Sequence, residues 1–296
     1  MSTDNVVGTK ILVAGADRRQ IYAGRRLARE YGADVTLCMT DGDNEGLPEV
    51  KQPGELDGKA EILLLPMPCG TGLTIPAAGK LTCDMLVRAL AKGALVTGGK
   101  MPTAMIEFFH SRGFDTADYL LRDELAVRNA VPTAEGTLGI IMTECNETVS
   151  GMSIAVTGWG RVAKACTRLF SAVGASVTVF ARSLTALSEA ESMGCGCKAL
   201  HINRLAEYSG QFRTIVNTVP ALVLTEQVIR GTADDCLIID LASKPGGTDF
   251  SACARLSRRA LHALSLPGKC APVTAGEIIA DTVINIYKER SGRNVT

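Results

Sequence analysis

The chain has no excess of either charge: 31 lysines and arginines stand against 31 aspartates and glutamates. Nucleic acids and anionic membrane surfaces are held by a basic field, so neither partner is expected. No apolar run approaches the roughly 18 residues of a membrane-spanning helix. The opening "MSTDNVVGTK" has neither the basic nor the apolar region of a secretory leader, and a cytoplasmic location is expected. Low-complexity sequence is also missing. There are 3 histidines, and His110, His201 and His262 lie far apart. There are 10 cysteines, yet Cys38, Cys166 and Cys236 sit singly in apolar segments. The close pair, Cys195 and Cys197 in "MGCGC", has no second pair at ligand spacing. No metal is expected; buried thiols in a reducing compartment fit the pattern.

What is present is ordinary globular composition, 46% hydrophobic and 21% charged, over a length that suits two domains. Short apolar strands alternate with helical patterns throughout, which predicts parallel sheets covered by helices. The first half reads as strands at "KILVA", "ADVTLCM", "AEILLLPMP" and "GALVTGG", with a helix over "KLTCDMLVRALAKG" between the last two. A restart follows at "GMSIAVTGWGRVAKACTRLFSAVGASVTVFARS". The fold class is therefore α/β, with two doubly wound, Rossmann-like parallel-sheet domains separated by a cleft. The expected division is an α/β domain for substrate or partner over 1–131 and a connecting helix over 132–150, with Pro132 in its first turn. A dinucleotide-binding domain over 151–271 and a final helix over 272–296 returning to the first domain complete it. Hinges are expected near 131–151 and 266–276, so that closure expels water from the reacting groups.

Gly158, Gly160 and Ala163 form G-x-G-x-x-A between a predicted strand and a predicted helix, with Trp159, Arg161 and Val162 filling the pattern. Glycines let the backbone approach a pyrophosphate, and a helix N-terminus offers free N–H groups to it. The flanking strand, helix and second strand are all present, which makes a dinucleotide the expected cofactor. In NAD-specific versions an acidic residue ends that second strand. Here Arg182 and Ser183 stand there, a pair suited to a 2′-phosphate, so the cofactor is NADP or NAD with NADP accepted. Arg182 read as a surface residue is the plain alternative. Asn217, Thr218 and Pro220 in "NTVP", and Ala242 after the next strand, fall where carboxyl-end loops meet the nicotinamide side. Asn217 and Thr218 could equally cap a turn.

The second half resembles the NAD-binding domain of D-2-hydroxyacid dehydrogenases, in which an arginine after the last strand grips the substrate carboxylate. Lys244 in "DLASKPGGTDF" occupies that place. The family's catalytic histidine falls on Val273 of "APVTAG", and valine cannot exchange a proton, which argues against a hydroxyacid substrate. Along essentially its whole length the chain resembles the dipicolinate synthase A-subunit family. The stretches are "GADRRQ", "VPTAEGT", "GWGRVA", "ARS", "NTVP", "DLASKPGGTDF" and "LPGKCAPVTAG". This family commonly has arginine at the Lys244 place and Gly-Gly-Asp where this chain has Gly15-Ala16-Asp17.

That resemblance implies oxidation of dihydrodipicolinate, or its hydrated tetrahydro precursor, to pyridine-2,6-dicarboxylate during sporulation, in the mother-cell cytoplasm. It also implies the flavoprotein-like B subunit of dipicolinate synthase as partner; a homo-oligomer is expected besides. Two substrate carboxylates need two cationic or N–H-rich holders. Lys244 on its Pro-Gly-Gly turn suits one, helped by the N–H groups of Gly246 and Gly247. Arg18, beside Asp17, suits the other, although Asp17 also reads as a helix cap. Thr71 and Gly72 in "PCGTGLTIP" either donate to a carboxylate or shape a turn. Glu135 is the candidate proton acceptor, with Thr137 beside it at the opening of the connecting helix; charge compensation of that helix end is the alternative for Glu135. Two rival readings stay open: a dehydrogenase for another carboxylate, and a non-catalytic nucleotide-binding component of a flavoprotein complex.

Overall fold

Strand β1 (Lys10–Ala14) forms where Ile11-Leu12-Val13-Ala14 runs without a polar break, and these four are buried. Such unbroken burial on both faces is what a parallel sheet covered by helices requires. The computed structural model describes residues 6–56 and 58–293. Residues 1–5, where the leader reading begins, and 294–296, at the expected end of the last helix, lie outside the described residues.

The chain divides into two units. Unit 1 runs to Asn129 and resumes at Ala271; unit 2 is Ala130–Cys270. In unit 1, β1 is joined by β2 (Asp34–Cys38), β3 (Glu49–Val50), β4 (Ala60–Leu64), β7 (Leu90–Gly98) and β8 (Asp115–Asp118). Their order is β3-β2-β1-β4-β7-β8, parallel throughout. A small antiparallel pair, β5 (Thr74–Ile75) and β6 (Leu81–Thr82), stands apart. Unit 2 contributes β9 (Ser153–Thr157), β10 (Ser176–Ala181), β11 (Lys198–His201), β12 (Thr214–Asn217), β13 (Leu237–Asp240) and β14 (Arg259–His262). Their order is β11-β10-β9-β12-β13-β14, again parallel. Renumbered within its own unit, each sheet reads 3-2-1-4-5-6, the order of the doubly wound dinucleotide fold.

Helix α1 (Arg18–Tyr31) starts on Asp17, whose carboxylate accepts the Arg19 N–H at 3.0 Å, and stops on Gly32 in the left-handed region at φ 67°. Its buried face, Ile21, Ala23 and Leu27, joins Ile278, Ile279, Val283 and Ile284 of the last helix, α11 (Pro272–Arg293), in one core with Ile11 and Val13. The two helices touch backbone to backbone: a Cβ on Gly276 would lie 2.5 Å from the Arg19 carbonyl oxygen. Arg26, Arg128 and Tyr31 then converge on the Asp281 carboxylate, at 2.5, 2.7 and 2.7 Å.

Two stretches differ from the sequence reading. The helix expected over "KLTCDMLVRALAKG" shrinks to α2 (Cys83–Val87), because β6 precedes it and β7 already starts at Leu90. Burial decides this: Leu90, Ala94, Leu95 and Val96 fill the sheet, and Gly93 takes φ 70°, which no helix interior uses. After α3 (Thr103–His110) comes α4 (Asp123–Cys145), one helix with Pro132 inside it rather than in its first turn. Asp123 and Glu124 supply the acidic first turn that suits a helix start. Unit 2 adds α5 (Arg161–Ala172), α6 (Leu184–Ser192), α7 (Leu205–Tyr208), α8 (Glu226–Arg230), α9 (Phe250–Arg255) and α10 (Leu266–Cys270). Among the described residues no helix is long and apolar enough to cross a membrane.

Candidate dinucleotide site and the Lys244 turn

In a doubly wound sheet, ligands bind at the carboxyl ends of the strands where the order reverses. In unit 2 that point lies between β9 and β12. Gly158 follows β9 at φ 93°, and a Cβ there would sit 2.6 Å from Thr218 Oγ1. Only glycine meets both demands. Gly160 is the N-cap of α5 with no side chain to satisfy the helix end, and a Cβ on it would meet nothing within 4 Å. Lys164 is the first residue of α5 whose N–H bonds back, to the Gly160 carbonyl at 2.9 Å. The N–H groups of Val162 and Ala163 therefore face out of the helix end, as a pyrophosphate requires. Ala163 itself is buried against the sheet.

A cavity of about 360 Å³ opens here, lined by Gly158, Trp159, Gly160, Arg182, Ser183, Thr218 and Pro220 among others. Arg182 is exposed just past the end of β10, and no carboxylate follows that strand. Ser183 caps α6: its Oγ accepts the Ala186 N–H at 3.1 Å, which leaves its own O–H available to donate. Trp159 Nε1 donates to Glu189 at 3.0 Å, and Lys164 Nζ donates to the same oxygen at 2.8 Å. Those two donors hold the exposed Glu189 carboxyl below its ordinary pKa. Thr218 Oγ1 donates to the Thr157 carbonyl at 2.7 Å.

Asn217 departs from the reading that faced it toward the nicotinamide. It is fully buried. Its Nδ2 donates to Asp240 Oδ1 (2.8 Å) and the Val219 carbonyl (3.1 Å). Its Oδ1 accepts from Thr157 Oγ1 (2.6 Å) and the Val219 N–H (3.0 Å). A buried amide must spend its polar atoms on neighbours, and here they tie the ends of β9, β12 and β13 together.

The turn after β13 is clamped from below and from the side. Asp240, fully buried, accepts the Ala242 N–H on Oδ1 at 2.9 Å and the Gly247 N–H on Oδ2 at 2.8 Å. His262, next to Asp240 across the β13–β14 register, donates from Nε2 to the Ala242 carbonyl at 2.8 Å. The Gly247 carbonyl accepts from Val223 and Leu224 at 3.0 and 2.9 Å, which ties the turn to the segment that continues the cavity lining. Gly247 has no room for a side chain: a Cβ would lie 2.3 Å from the Val219 carbonyl oxygen and 2.6 Å from that of Ala221. Gly246 takes φ 87°, and Lys244, exposed and joined to Pro245 by a cis peptide bond, stands at the tip. Lys244, Gly246, Gly247, Ala242 and Thr218 are thus brought into one connected piece of unit 2. Ala242 lies buried at its base.

The other predicted residues sit as follows. In unit 1, Arg18 is exposed at the start of α1. Asp17 pairs with Arg19 (2.7 Å), whose guanidinium also donates to the Met67 carbonyl (2.5 Å), so the capping reading of Asp17 matches its contacts. Thr71 and Gly72 shape the bend before β5, where the Thr74 N–H donates to the Thr71 carbonyl at 3.1 Å and Gly72 takes φ 57°. Glu135 and Thr137 lie within α4 rather than at its opening. Thr137 is fully buried, and its Oγ1 donates to the Thr133 carbonyl at 2.8 Å; burial removes it from any role against a substrate. Glu135 is exposed. Sequence reasoning passed over Asp240 and His262. A lone carboxylate closing the apolar run "LIID" is a readable signal for the first. His262 becomes visible only once β14 is placed beside β13.

No family model matches the chain. The A subunit of dipicolinate synthase from Bacillus subtilis (strain 168) is 32% identical over 295 residues, spanning 96% of this chain and 97% of that protein. Among solved structures, the A subunit of dipicolinate synthase from Bacillus halodurans matches with a TM-score of 0.84 and 30% identity, over 95% of this chain and 98% of its own. The corresponding dipicolinate synthase structure from Bacillus subtilis matches with a TM-score of 0.85 and 28% identity, over 99% of this chain and 100% of its own.

Proposed function

The chain belongs to the dipicolinate synthase A-subunit family, and we propose that it oxidises dihydrodipicolinate, or its hydrated tetrahydro precursor, to pyridine-2,6-dicarboxylate with NADP or NAD. One observation carries this reading: a cationic turn, tied through Gly247 to the lining of the cavity over the Gly158–Gly160 loop, in a chain of this family.

The residues fit the cofactor. Gly158 admits close backbone approach, the uncapped start of α5 receives the pyrophosphate, and Arg182, the Ser183 hydroxyl and the N-terminus of α6 suit a 2′-phosphate. When bound, the oxidised nicotinamide supplies the hydride acceptor. The chain's own part is to hold the ring. Lys244 pairs with one ring carboxylate, with the Gly246–Gly247 backbone beside it, while Arg18 is the residue of unit 1 for which we propose a carboxylate contact. Conversion of dihydrodipicolinate to the pyridine dicarboxylate releases the equivalent of one hydride and one proton from the ring; the bound dinucleotide would supply the hydride acceptor, one per substrate, and Glu135, an exposed carboxylate of unit 2, is the proposed proton acceptor. The hydrated precursor first loses water. Aromatisation drives the step, and orientation of ring against acceptor contributes several kcal/mol to lowering the barrier. By the same reading the chain works beside a flavoprotein-like B subunit, as a homo-oligomer, in the mother-cell cytoplasm of a sporulating bacterium.

The test is NADP⁺ reduction by purified protein with freshly generated dihydrodipicolinate, set beside a hydroxyacid panel and a Lys244→Ala variant. Reduction with dihydrodipicolinate alone, lost in the variant, supports the proposal. Reduction with a hydroxyacid instead would move the substrate assignment to that class.

A further inference from the structure

His262 is not in the cavity, yet it touches both limbs of the turn that carries Lys244. On the entering limb its Nε2 donates to the Ala242 carbonyl at 2.8 Å. On the leaving limb its ring lies under Gly246, where an added Cβ would come 3.4 Å from His262 Cε1. The ring is itself fixed, stacked on Phe250 with centroids 5.4 Å apart and planes 28° from parallel. Asp240 grips the same limbs through the Ala242 and Gly247 N–H groups. The two residues divide the work. Asp240 takes the turn's donors, and His262 supplies a donor to the carbonyl at its base. The Gly247 carbonyl then fastens the turn to Val223 and Leu224 of the cavity segment, so whatever fixes the turn also fixes Lys244 with respect to the dinucleotide.

We propose that His262 is a positioning residue for substrate: its bond to the Ala242 carbonyl and its packing under Gly246 hold the Lys244 ammonium where a ring carboxylate meets it. This rests on the assignment of Lys244 to a substrate carboxylate. Catalytic and positioning groups gain their effect from being held within about half an ångström of the productive geometry by locked neighbours. A lysine on a turn with one anchored limb keeps its charge and loses its direction. The donor is required and the charge is not, so an amide that reaches the same carbonyl should serve.

The experiment titrates pyridine-2,6-dicarboxylate calorimetrically into the NADP⁺-saturated protein, for the wild type and for Lys244→Ala, His262→Phe and His262→Gln, whose amide nitrogen reaches the position of the histidine Nε2. NADPH affinity is read in parallel by energy transfer from Trp159, the single tryptophan of the chain, and Tm is recorded for each. The expected result is dicarboxylate binding weakened about 10–100-fold by Lys244→Ala, as for loss of a charge-assisted hydrogen bond. His262→Phe should weaken it about tenfold, and His262→Gln should stay within about threefold of wild type, with NADPH affinity unchanged in all. If Lys244→Ala weakens binding and His262→Phe does not, the positioning role is wrong and the assignment of Lys244 survives. If His262→Phe lowers NADPH affinity and Tm along with dicarboxylate binding, and His262→Gln does not rescue, His262 is a structural residue only. If the wild type does not bind the dicarboxylate, or Lys244→Ala binds it as well as wild type, the assignment of Lys244 fails and the role of His262 falls with it.

Discussion

Replacing Asp240 by asparagine keeps the shape of the side chain and removes one acceptor, which makes it a sharp probe of the turn. The carboxylate receives three hydrogen bonds: from Asn217 Nδ2 and the Ala242 N–H on Oδ1, and from the Gly247 N–H on Oδ2. The least costly placement of the amide puts its oxygen at the Oδ1 position, preserving two of these. Its NH₂ then faces the Gly247 N–H, donor against donor, at a site with no solvent access. The Gly247 N–H and the new NH₂ are then both buried donors without an acceptor, at about 1–3 kcal/mol each, and losing the charge on two surviving bonds adds a smaller amount. We expect a loss of about 2–6 kcal/mol, which for a unit of this size lowers Tm by roughly 4–24 °C. Gly247 also carries the tie to Val223 and Leu224, so binding of pyridine-2,6-dicarboxylate should weaken by more than stability alone explains, at temperatures where the variant remains folded. Differential scanning calorimetry and isothermal titration give both numbers. A variant with wild-type Tm and wild-type dicarboxylate affinity would refute the claim that Asp240 holds the turn.

Arg182→Ala should raise the Kd for NADP⁺ by about 10–100-fold while leaving that for NAD⁺ within about threefold, the difference a charge-assisted contact to a 2′-phosphate makes; quenching of Trp159 fluorescence measures both. Asp281 is pushed up by burial, but hydrogen bonds from Arg26, Arg128 and Tyr31 bring its pKa below the ordinary carboxylate value. A depressed folded-state pKa stabilises the protein above the unfolded pKa of about 4, and that contribution disappears as pH falls through the folded value. Stability curves of wild type and Asp281→Ala should therefore be separated by about 1–3 kcal/mol near pH 6 and converge as pH falls through the lowered folded-state value. All 10 cysteines are thiols, and of these Cys195 is half-buried and Cys270 exposed while the rest are buried. Burial pushes Cys38, Cys69, Cys166 and Cys236 up to about 12, so a thiol reagent at pH 8 should modify Cys270 and Cys195 quickly and the others only after unfolding.

The parallel sheets were legible because their strands are unbroken apolar runs, such as "KILVA" and "LIID", separated by helical patterns. The glycine-rich turn from β9 into α5 was legible because a tight strand-to-helix turn needs glycine at fixed spacing, and Gly158 and Gly160 stand at that spacing. Local pattern failed where tertiary burial overrode it. "KLTCDMLVRALAKG" has helical character, yet Leu90 and Ala94 are needed in β7. Pro132 looked like a helix start because proline suits a first turn, whereas the acidic pair Asp123–Glu124 already opens that helix. For Asn217 the two readings, ligand contact and turn cap, were level because nothing in "NTVP" tells whether an amide faces a ligand or a buried carboxylate, and its contacts to the Val219 N–H and Asp240 match the second. His262 depends on which strand lies beside which, information that no window of sequence holds.

The most direct test of the central claim is a single-turnover reaction of the purified chain by itself. The protein, in excess, is mixed with NADP⁺ and freshly generated dihydrodipicolinate, with the flavoprotein-like partner left out, and both reduced dinucleotide and pyridine-2,6-dicarboxylate are quantified. The account predicts that the two appear together, one for one. Folded protein that binds NADP⁺ and forms neither product would contradict it, and would leave this chain as a nucleotide-binding component whose chemistry resides in its partner.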